Sequence, residues 1–313
     1  MPESVNPNFI TRDVCPCCAA SGGATLLDLA FCEPPIRDYL VAFYAPQGGV
    51  EFDWLEGARF TVVECPDCGM IYQQHIGGDA LMARLYDRWI DPRKAFELHD
   101  GVLPPAHFVE LGRQVANVLD LLGRNPREVR CLDFGMGWGH WCRVARGFGC
   151  EVMGTELSEA RIAYAREHGL AVLAWDDIPK QQFDLINTEQ VFEHLPEPLE
   201  TLCYLARALK PGGLIRISVP DGWDIKRRLR VGDWTAPKGS RNSLNPVAPL
   251  EHINCFNQRV ICRLAARAGL VQREVPERFA TSLVDGLKGL IRPLAYRLLG
   301  RGVALYFTAD AGR

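Results

Sequence analysis

The chain has 313 residues, 48% of them apolar and 23% charged, enough for a sizeable buried core and about two domains. A formal charge of −3 lacks the basic excess that a general nucleic-acid or membrane-surface binder carries. The opening residues, MPESVNPNFITRD, lack the basic start and apolar run of a secretory signal, and no apolar run approaches the roughly 20 residues that cross a bilayer.

Twelve cysteines without an export signal read as reduced thiols, some buried and some on metal, in a chain expected to be cytoplasmic. Four stand out by spacing. Cys15/Cys18 and Cys65/Cys68 each form a C-x-x-C knuckle, a turn short enough to aim two thiolates at one ion. Two knuckles complete a closed tetrahedral sulfur site, which suits structural zinc. Iron in the manner of rubredoxin, and buried thiols without metal, are the alternatives. Gly69 suits the left-handed backbone of such a turn, and Cys17 is a spare thiol beside it. Between and after the knuckles, ARFTVVEC and MIYQQH alternate as strands do. Residues 1–80 are therefore expected to form a zinc-binding module, and 81–128 a helical, aromatic linker.

From residue 129 the chain alternates strand and helix. RCLDFG, EVMGTEL, LAVLAW, FDLINTEQV and GGLIRISVP read as strands. GHWCRVARGFG, SEARIAYAREHG and EPLETLCYLARALK read as helices, with Ser158 as the N-cap of the second and Pro-Gly-Gly stopping the third. This order specifies a mostly parallel sheet covered on both faces. VQREV and VALYFTA close it as an antiparallel pair, with the amphipathic, basic segment 282–302 as a helix between them. The alternative for that segment is contact with a membrane or a lipid-linked glycan.

Ligands bind such sheets at the C-terminal ends of the strands. There lies Gly135-Met136-Gly137-Trp138-Gly139, and Glu156 ends the second strand at the spacing of a ribose-binding acid. A glycine loop alone does not separate a methyl donor from a dinucleotide.

The whole set does. CLDFGMGWG, VMGTELSE, FDLINTEQVFEHLPEP and LKPGGLIRISVP resemble, in order and separation, the class I S-adenosylmethionine-dependent methyltransferases, over about residues 129–270. The resemblance implies a Rossmann-like, seven-stranded α/β fold with one antiparallel strand, filling 129–313 with an insertion at about 221–250. It implies that Asp133, Gly135, Gly137 and Gly139 hold the amino-acid end of S-adenosylmethionine, and that Glu156, with Leu157 beside it, binds the ribose. Asp176, or its neighbour Asp177, would face the adenine. Thr188 and Glu189, continuing to Gln190, would floor the pocket near the sulfonium. Two positions depart from the pattern: Trp138 replaces a small residue, and Met136 replaces a frequent cysteine.

A cysteine module ahead of this core is similar to methyltransferases of sugar and polysaccharide biosynthesis. That implies a small-molecule acceptor, such as a nucleotide sugar or glycan, methylated on carbon or oxygen. Removing the acceptor's proton calls for a histidine or carboxylate. His194, in FEHLPEP, and His252, in PLEHINCFN after the insertion, are the candidates, with Glu193 and Glu251 behind them. Lys226, Arg227, Arg228, Arg230, Lys238 and Arg241 in the insertion offer donors to a phosphate or form a solvated charged face. Two other functions remain open at this level. One is a cofactor-binding but non-catalytic partner module; the other is a protein or nucleic-acid methyltransferase. Against base methylation, TEQV stands where an Asn/Asp-Pro-Pro-aromatic motif would be needed.

Overall fold

The computed structural model describes residues 6–276, 279 and 304–309. The N-terminal part carries β1 (Phe9–Thr11), β2 (Ala24–Ala30), α1 (Ile36–Tyr44), β3 (Arg59–Glu64), β4 (Ile71–Gln73), β5 (His75–Gly77), α2 (Asp79–Arg84) and α3 (Pro92–Leu98). Next come α4 (Pro105–Leu122), β6 (Arg130–Phe134), α5 (His140–Gly147), β7 (Glu151–Thr155), α6 (Glu159–Glu167) and β8 (Ala171–Val172). They are followed by β9 (Phe183–Glu189), α7 (Pro198–Ala206), β10 (Leu209–Ser218), α8 (Ile225–Val231) and β11 (Asn254–Cys255). The last are α9 (Gln258–Arg267), β12 (Leu270–Arg273) and β13 (Ala304–Ala309). Two compact units divide the chain. One unit combines Met1–Val102, Glu193–Pro198 and Pro220–Phe256; the other combines Leu103–Phe192, Leu199–Val219 and Asn257–Arg313.

The second unit is a seven-stranded sheet in the order β12-β13-β10-β9-β6-β7-β8. β13 runs antiparallel to both of its neighbours, and the pairs from β10 to β8 are all parallel. Strands covered on both faces need near-continuous apolar runs. β6 and β9 supply them, with Cys131, Leu132, Phe134, Phe183, Leu185 and Ile186 buried. Helix α5 turns Trp141, Cys142 and Ala145 inward against this layer.

Three local expectations change. Ser158 occupies the N-cap of α6, but its side chain makes no capping bond; the Glu156 carboxylate accepts the N–H groups of Leu157 and of Ser158 itself, just ahead of the helix. α7 ends at Ala206, before the Pro-Gly-Gly. Those residues lie inside β10, as an irregularity between Leu209 and Leu214, which pair with Phe183 and Leu185 of β9. A side chain at Gly213 would meet the Phe183 carbonyl oxygen at 2.8 Å, so the backbone there follows β9 too closely for anything larger. Of LAVLAW, only Ala171 and Val172 join the sheet.

The first unit holds a four-stranded antiparallel sheet, β11-β4-β3-β2, and a two-stranded one, β1-β5. β3 and β4 are the two alternating segments read from sequence, joined through the Cys65–Cys68 knuckle. The core is built on Phe31, Leu40, Tyr44, Phe60 and Trp89. Ile225 and Leu229 of α8, with Leu244, Val247 and Leu250, belong to the same core. Each such side chain contributes about 1.5–3 kcal/mol on burial. The insertion, polar as its letters read, is thus packed structure rather than a loose flap. Among the described residues no helix is long and apolar enough to cross a membrane. The basic segment 282–302 lies outside them.

Candidate active site and metal centre

In the sheet unit, β6 ends at Phe134 and the chain turns through Gly135–Gly139 into α5. Gly139, at φ +71°, is the residue before that helix, and a Cβ there would sit 2.3 Å from Leu170 Cδ1. Gly137, at φ +54°, is different: a Cβ added to it would meet nothing within 4 Å. The first glycine closes packing, whereas the second leaves bare backbone beside open space.

Glu156 follows β7 and ties this loop down. Its Oε2 accepts the Gly137 N–H at 3.0 Å, and Oε1 accepts the N–H groups of Leu157 at 2.8 Å and Ser158 at 3.0 Å. Arg161 lies 3.7 Å from the same carboxylate. A carboxylate has about four acceptor sites, so capacity remains for a hydroxyl. Leu157, 92% exposed, stands at the rim. Trp138, the departure from the family pattern, is buried edge-on against the Tyr164 ring, 5.1 Å between centroids.

Asp133 is 3% exposed. Its Oδ1 accepts from Asn187 Nδ2 at 2.7 Å and its Oδ2 from the Cys142 thiol at 3.4 Å. Burial pushes its pKa up to about 6, against the pull of those two donors. Asn187 in turn accepts from Arg216 Nη1 at 2.9 Å. Arg216 is buried and pairs with Glu189, whose other oxygen accepts from the Ser218 hydroxyl at 2.9 Å. The strand register explains this line. Asp133 on β6 stands opposite Asn187 on β9, Asn187 opposite Arg216 on β10, and Arg216 opposite Tyr306 on β13. Burial raises the Tyr306 pKa, and the nearby Arg216 charge opposes that rise. A polar rung therefore crosses four strands, and sequence reading found only its first member. Thr188 is fully buried and its hydroxyl donates to the Arg216 carbonyl at 2.9 Å, so this side chain is held between strands. Glu189 is engaged with Arg216 and Ser218.

Asp176 lies exposed and Asp177 half-buried on the short helical turn Trp175–Lys180, with Asp177 paired to Lys180 at 2.6 Å. Beside them Trp175 stacks flat on Tyr204, 4.7 Å between centroids, and lies 5.6 Å from the Phe134 ring. These aromatics went unremarked in the sequence, although Trp175 directly precedes the two acids.

In the other unit the four cysteines converge. Cys15 and Cys68 sulfurs are 3.5 Å apart, Cys18 and Cys65 3.4 Å, and one sulfur from each lies within 4.8 Å of all the others. Four thiolates about 2.3 Å from a central ion lie roughly 3.8 Å from one another, so the set fits a tetrahedral metal. The knuckles are built alike. Cys15 N–H bonds the Ala20 carbonyl and Cys65 N–H the Met70 carbonyl, both at 2.8 Å. Ala19 (φ +60°) holds the position that Gly69 (φ +74°) holds in the second.

His194 and His252 belong to this unit too, ring against ring at 4.8 Å and 84°. His252 Nδ1 is hydrogen-bonded to the Asn245 carbonyl. A carbonyl only accepts, so Nδ1 carries the proton and Nε2 the lone pair. Burial and the neighbouring His194 push the His252 pKa down to about 3, leaving the ring neutral at physiological pH. The segment around it is clamped. Gln73 Nε2 donates to the carbonyls of Ala248 at 2.9 Å and His252 at 3.0 Å. Arg12 bonds the Ile253 carbonyl at 2.7 Å and Asn254 Oδ1 at 2.9 Å, and Asn254 Nδ2 reaches the Leu195 carbonyl at 2.6 Å. The Glu251 carboxylate accepts from the Tyr44 hydroxyl at 2.7 Å. Half of the basic cluster is engaged in ion pairs: Lys226 with Glu64, Arg227 and Arg228 with Asp224.

Residues 106–275 match the family described as a methyltransferase domain, which is more than half of the chain. The chain belongs to that family. A ubiquinone biosynthesis O-methyltransferase of Idiomarina loihiensis is 31% identical over 192 residues, covering 55% of this chain and 74% of that one. One of the same name from Burkholderia vietnamiensis is 27% identical over 220 residues, covering 63% and 88%. Among solved structures, the plantazolicin methyltransferase BpumL with S-adenosylhomocysteine aligns over 74% of this chain and 95% of its own, at 15% identity and a TM-score of 0.48. The protein is an S-adenosylmethionine-dependent methyltransferase. The methyltransferase's bare Gly137 backbone and the Glu156 carboxylate beside it fit such a cofactor, offering an unobstructed approach and a hydroxyl acceptor.

Proposed function

We propose that this methyltransferase methylates a small molecule, at oxygen or an acidic carbon, with His252 and His194 on the acceptor side. S-adenosylmethionine supplies an electrophilic methyl group for in-line displacement, a reaction in which positioning provides most of the rate. Gly135, Gly137, Gly139 and Asp133 would hold its amino-acid end, Glu156 its ribose, and Asp176 or Asp177 its adenine, beside Trp175. His252 would take the acceptor's proton on Nε2, with its ring oriented by the Asn245 carbonyl. The observation that carries this reading is the oriented imidazole of His252, its tautomer set by Asn245 and its backbone held by Gln73. Structural zinc on Cys15, Cys18, Cys65 and Cys68 would hold the sheet from which Gln73 extends.

A sugar, or nucleotide-linked sugar, is the acceptor class we favour. The N-terminal cysteine module supports it, as does Lys238, whose charge is felt at His252 and Glu251. The relatives' names point to ubiquinone biosynthesis, so a phenolic acceptor is the second reading. Transfer of labelled methyl from S-adenosylmethionine to nucleotide-linked deoxysugars and to catechols separates the two. Methylation of a sugar that falls at least 100-fold in His252→Gln supports the proposal. Methylation of catechols alone would replace the sugar, and turnover undiminished in the variant would remove His252 from its role.

A further inference from the structure

We propose that Glu193, His194 and His252 bind a divalent first-row metal ion, distinct from the four-cysteine centre, with coordination positions left open for oxygen atoms. One potential ligand atom from each of the three side chains lies within 4.8 Å of the other two. His194 Nε2 and Glu193 Oε1 are 3.9 Å apart. Two ligands each about 2.1 Å from one ion lie about 3.4 Å apart at a tetrahedral angle, so this pair would close by about 0.5 Å on binding.

The ligand chemistry is in order. His252 donates Nδ1–H to the Asn245 carbonyl, the outer bond that metal-bound histidines usually make, and so presents Nε2 as a lone pair. Glu193 is 1% exposed, and a dication offsets the cost of keeping a carboxylate out of water. Two imidazoles and one carboxylate suit manganese, iron, cobalt or zinc, and three protein ligands leave a dication open positions. The ligand-bearing segments are also tied together: Asn254 beside His252 bonds the Leu195 carbonyl beside His194, and Arg12 and Gln73 hold the His252 strand. Such supported geometry is what a preorganised metal site requires.

The use of the ion rests on the acceptor-side reading above, whereas its binding does not. An ion here would polarise an acceptor hydroxyl and lower its pKa. Because the His252 Nε2 lone pair would then be on the metal, the ion would take over from His252 the task of easing the proton off the acceptor, in the place next to the cofactor that the acceptor-side reading gives to His252.

The test starts from full-length protein carrying one zinc per chain on its cysteines, confirmed by elemental analysis. Manganese(II) is then titrated and followed by electron paramagnetic resonance, because it prefers nitrogen and oxygen to thiolate. One further manganese per chain is expected, with affinity falling about 100-fold or more in His252→Ala and Glu193→Gln. Both variants should still bind S-adenosylhomocysteine. Manganese, cobalt and zinc all failing to bind beyond the first equivalent would overturn the proposal, as would binding unchanged in both variants. Should the variants fail to fold, electron spin-echo modulation of the manganese-loaded wild type decides. Two imidazole nitrogens on the ion support the site, and none refutes it. Metal binding without any methyl transfer would sink the acceptor-side reading and leave the site standing; methyl transfer with no second metal would do the reverse.

Discussion

Replacing Asp133 with asparagine should make the ligand-free protein more stable at pH 8 while weakening its hold on the cofactor. The carboxyl is wholly buried, and its pKa rises from 3.8 to about 6 because burial penalises the charge. At 1.36 kcal/mol for each tenfold change, that rise amounts to about 3 kcal/mol against the charged form. The sign follows from linkage. Below pH 3.8 the group is neutral folded or unfolded and costs nothing. Between 3.8 and 6 the unfolded chain loses its proton first, and stability falls as pH rises; above 6 the whole penalty is present. Asparagine removes the penalty and still accepts from Asn187, and the stronger bonds of the charged acceptor are already counted in the value of about 6. A gain of about 3 kcal/mol at pH 8 is therefore expected, shrinking toward zero near pH 4. Urea denaturation of wild type and variant across that range measures it, and S-adenosylhomocysteine titration reads the functional cost. A variant less stable than wild type at pH 8, or a difference independent of pH, would refute the reasoning.

Gly139→Ala and Gly137→Ala should separate packing from binding. The first meets Leu170 at 2.3 Å as well as a left-handed backbone and should lower the melting temperature clearly. The second carries only about 1–2 kcal/mol of backbone strain, yet should abolish S-adenosylhomocysteine binding; retained binding would move the cofactor away from that backbone. Arg216→Met leaves the buried Asn187 without its donor, while the Glu189 side chain, 42% exposed, is solvated by water, so a loss of about 1–3 kcal/mol is expected. Denaturation midpoints check it, and a loss under 1 kcal/mol would mean the rung is not stabilising. Cys68→Ser should release the cysteine-bound metal and unfold its unit, since a structural zinc contributes on the order of 10 kcal/mol. Elemental analysis and calorimetry would show it, and a folded, metal-free variant would speak against a metal at the cysteines.

Much of the sheet could be read ahead of the structure because its strands are short segments rich in apolar residues, as in RCLDF and FDLIN, and its helices carry spaced ones. The cysteine pairs were legible for the same reason: their signal is local spacing. The polar rung was not. Asp133, Asn187, Arg216 and Tyr306 meet through strand register, which a single chain does not display, and Arg216 drew no notice within LIRIS. The insertion's composition left its basic residues open between a phosphate site and a solvated face; Asp224 pairs with Arg227 and Arg228, Glu64 with Lys226, and Ile225, Leu229 and Leu250 anchor the segment in a core that its polar letters did not announce. Ser158 carried the right letter for a cap and stands at the cap position, yet its hydroxyl makes no capping bond. Glu193 was ranked low beside His194 because burial, the property that makes it a strong ligand, is invisible in a loop sequence.

Calorimetric titration of the metal-analysed protein with S-adenosylhomocysteine, beside Glu156→Ala, tests the account most directly. It predicts one site of about micromolar affinity, about −8 kcal/mol, weakened at least 100-fold in the variant as the Gly137 loop and the hydroxyl acceptor are lost together. A folded wild-type protein that binds none, or a variant that binds equally well, would contradict it.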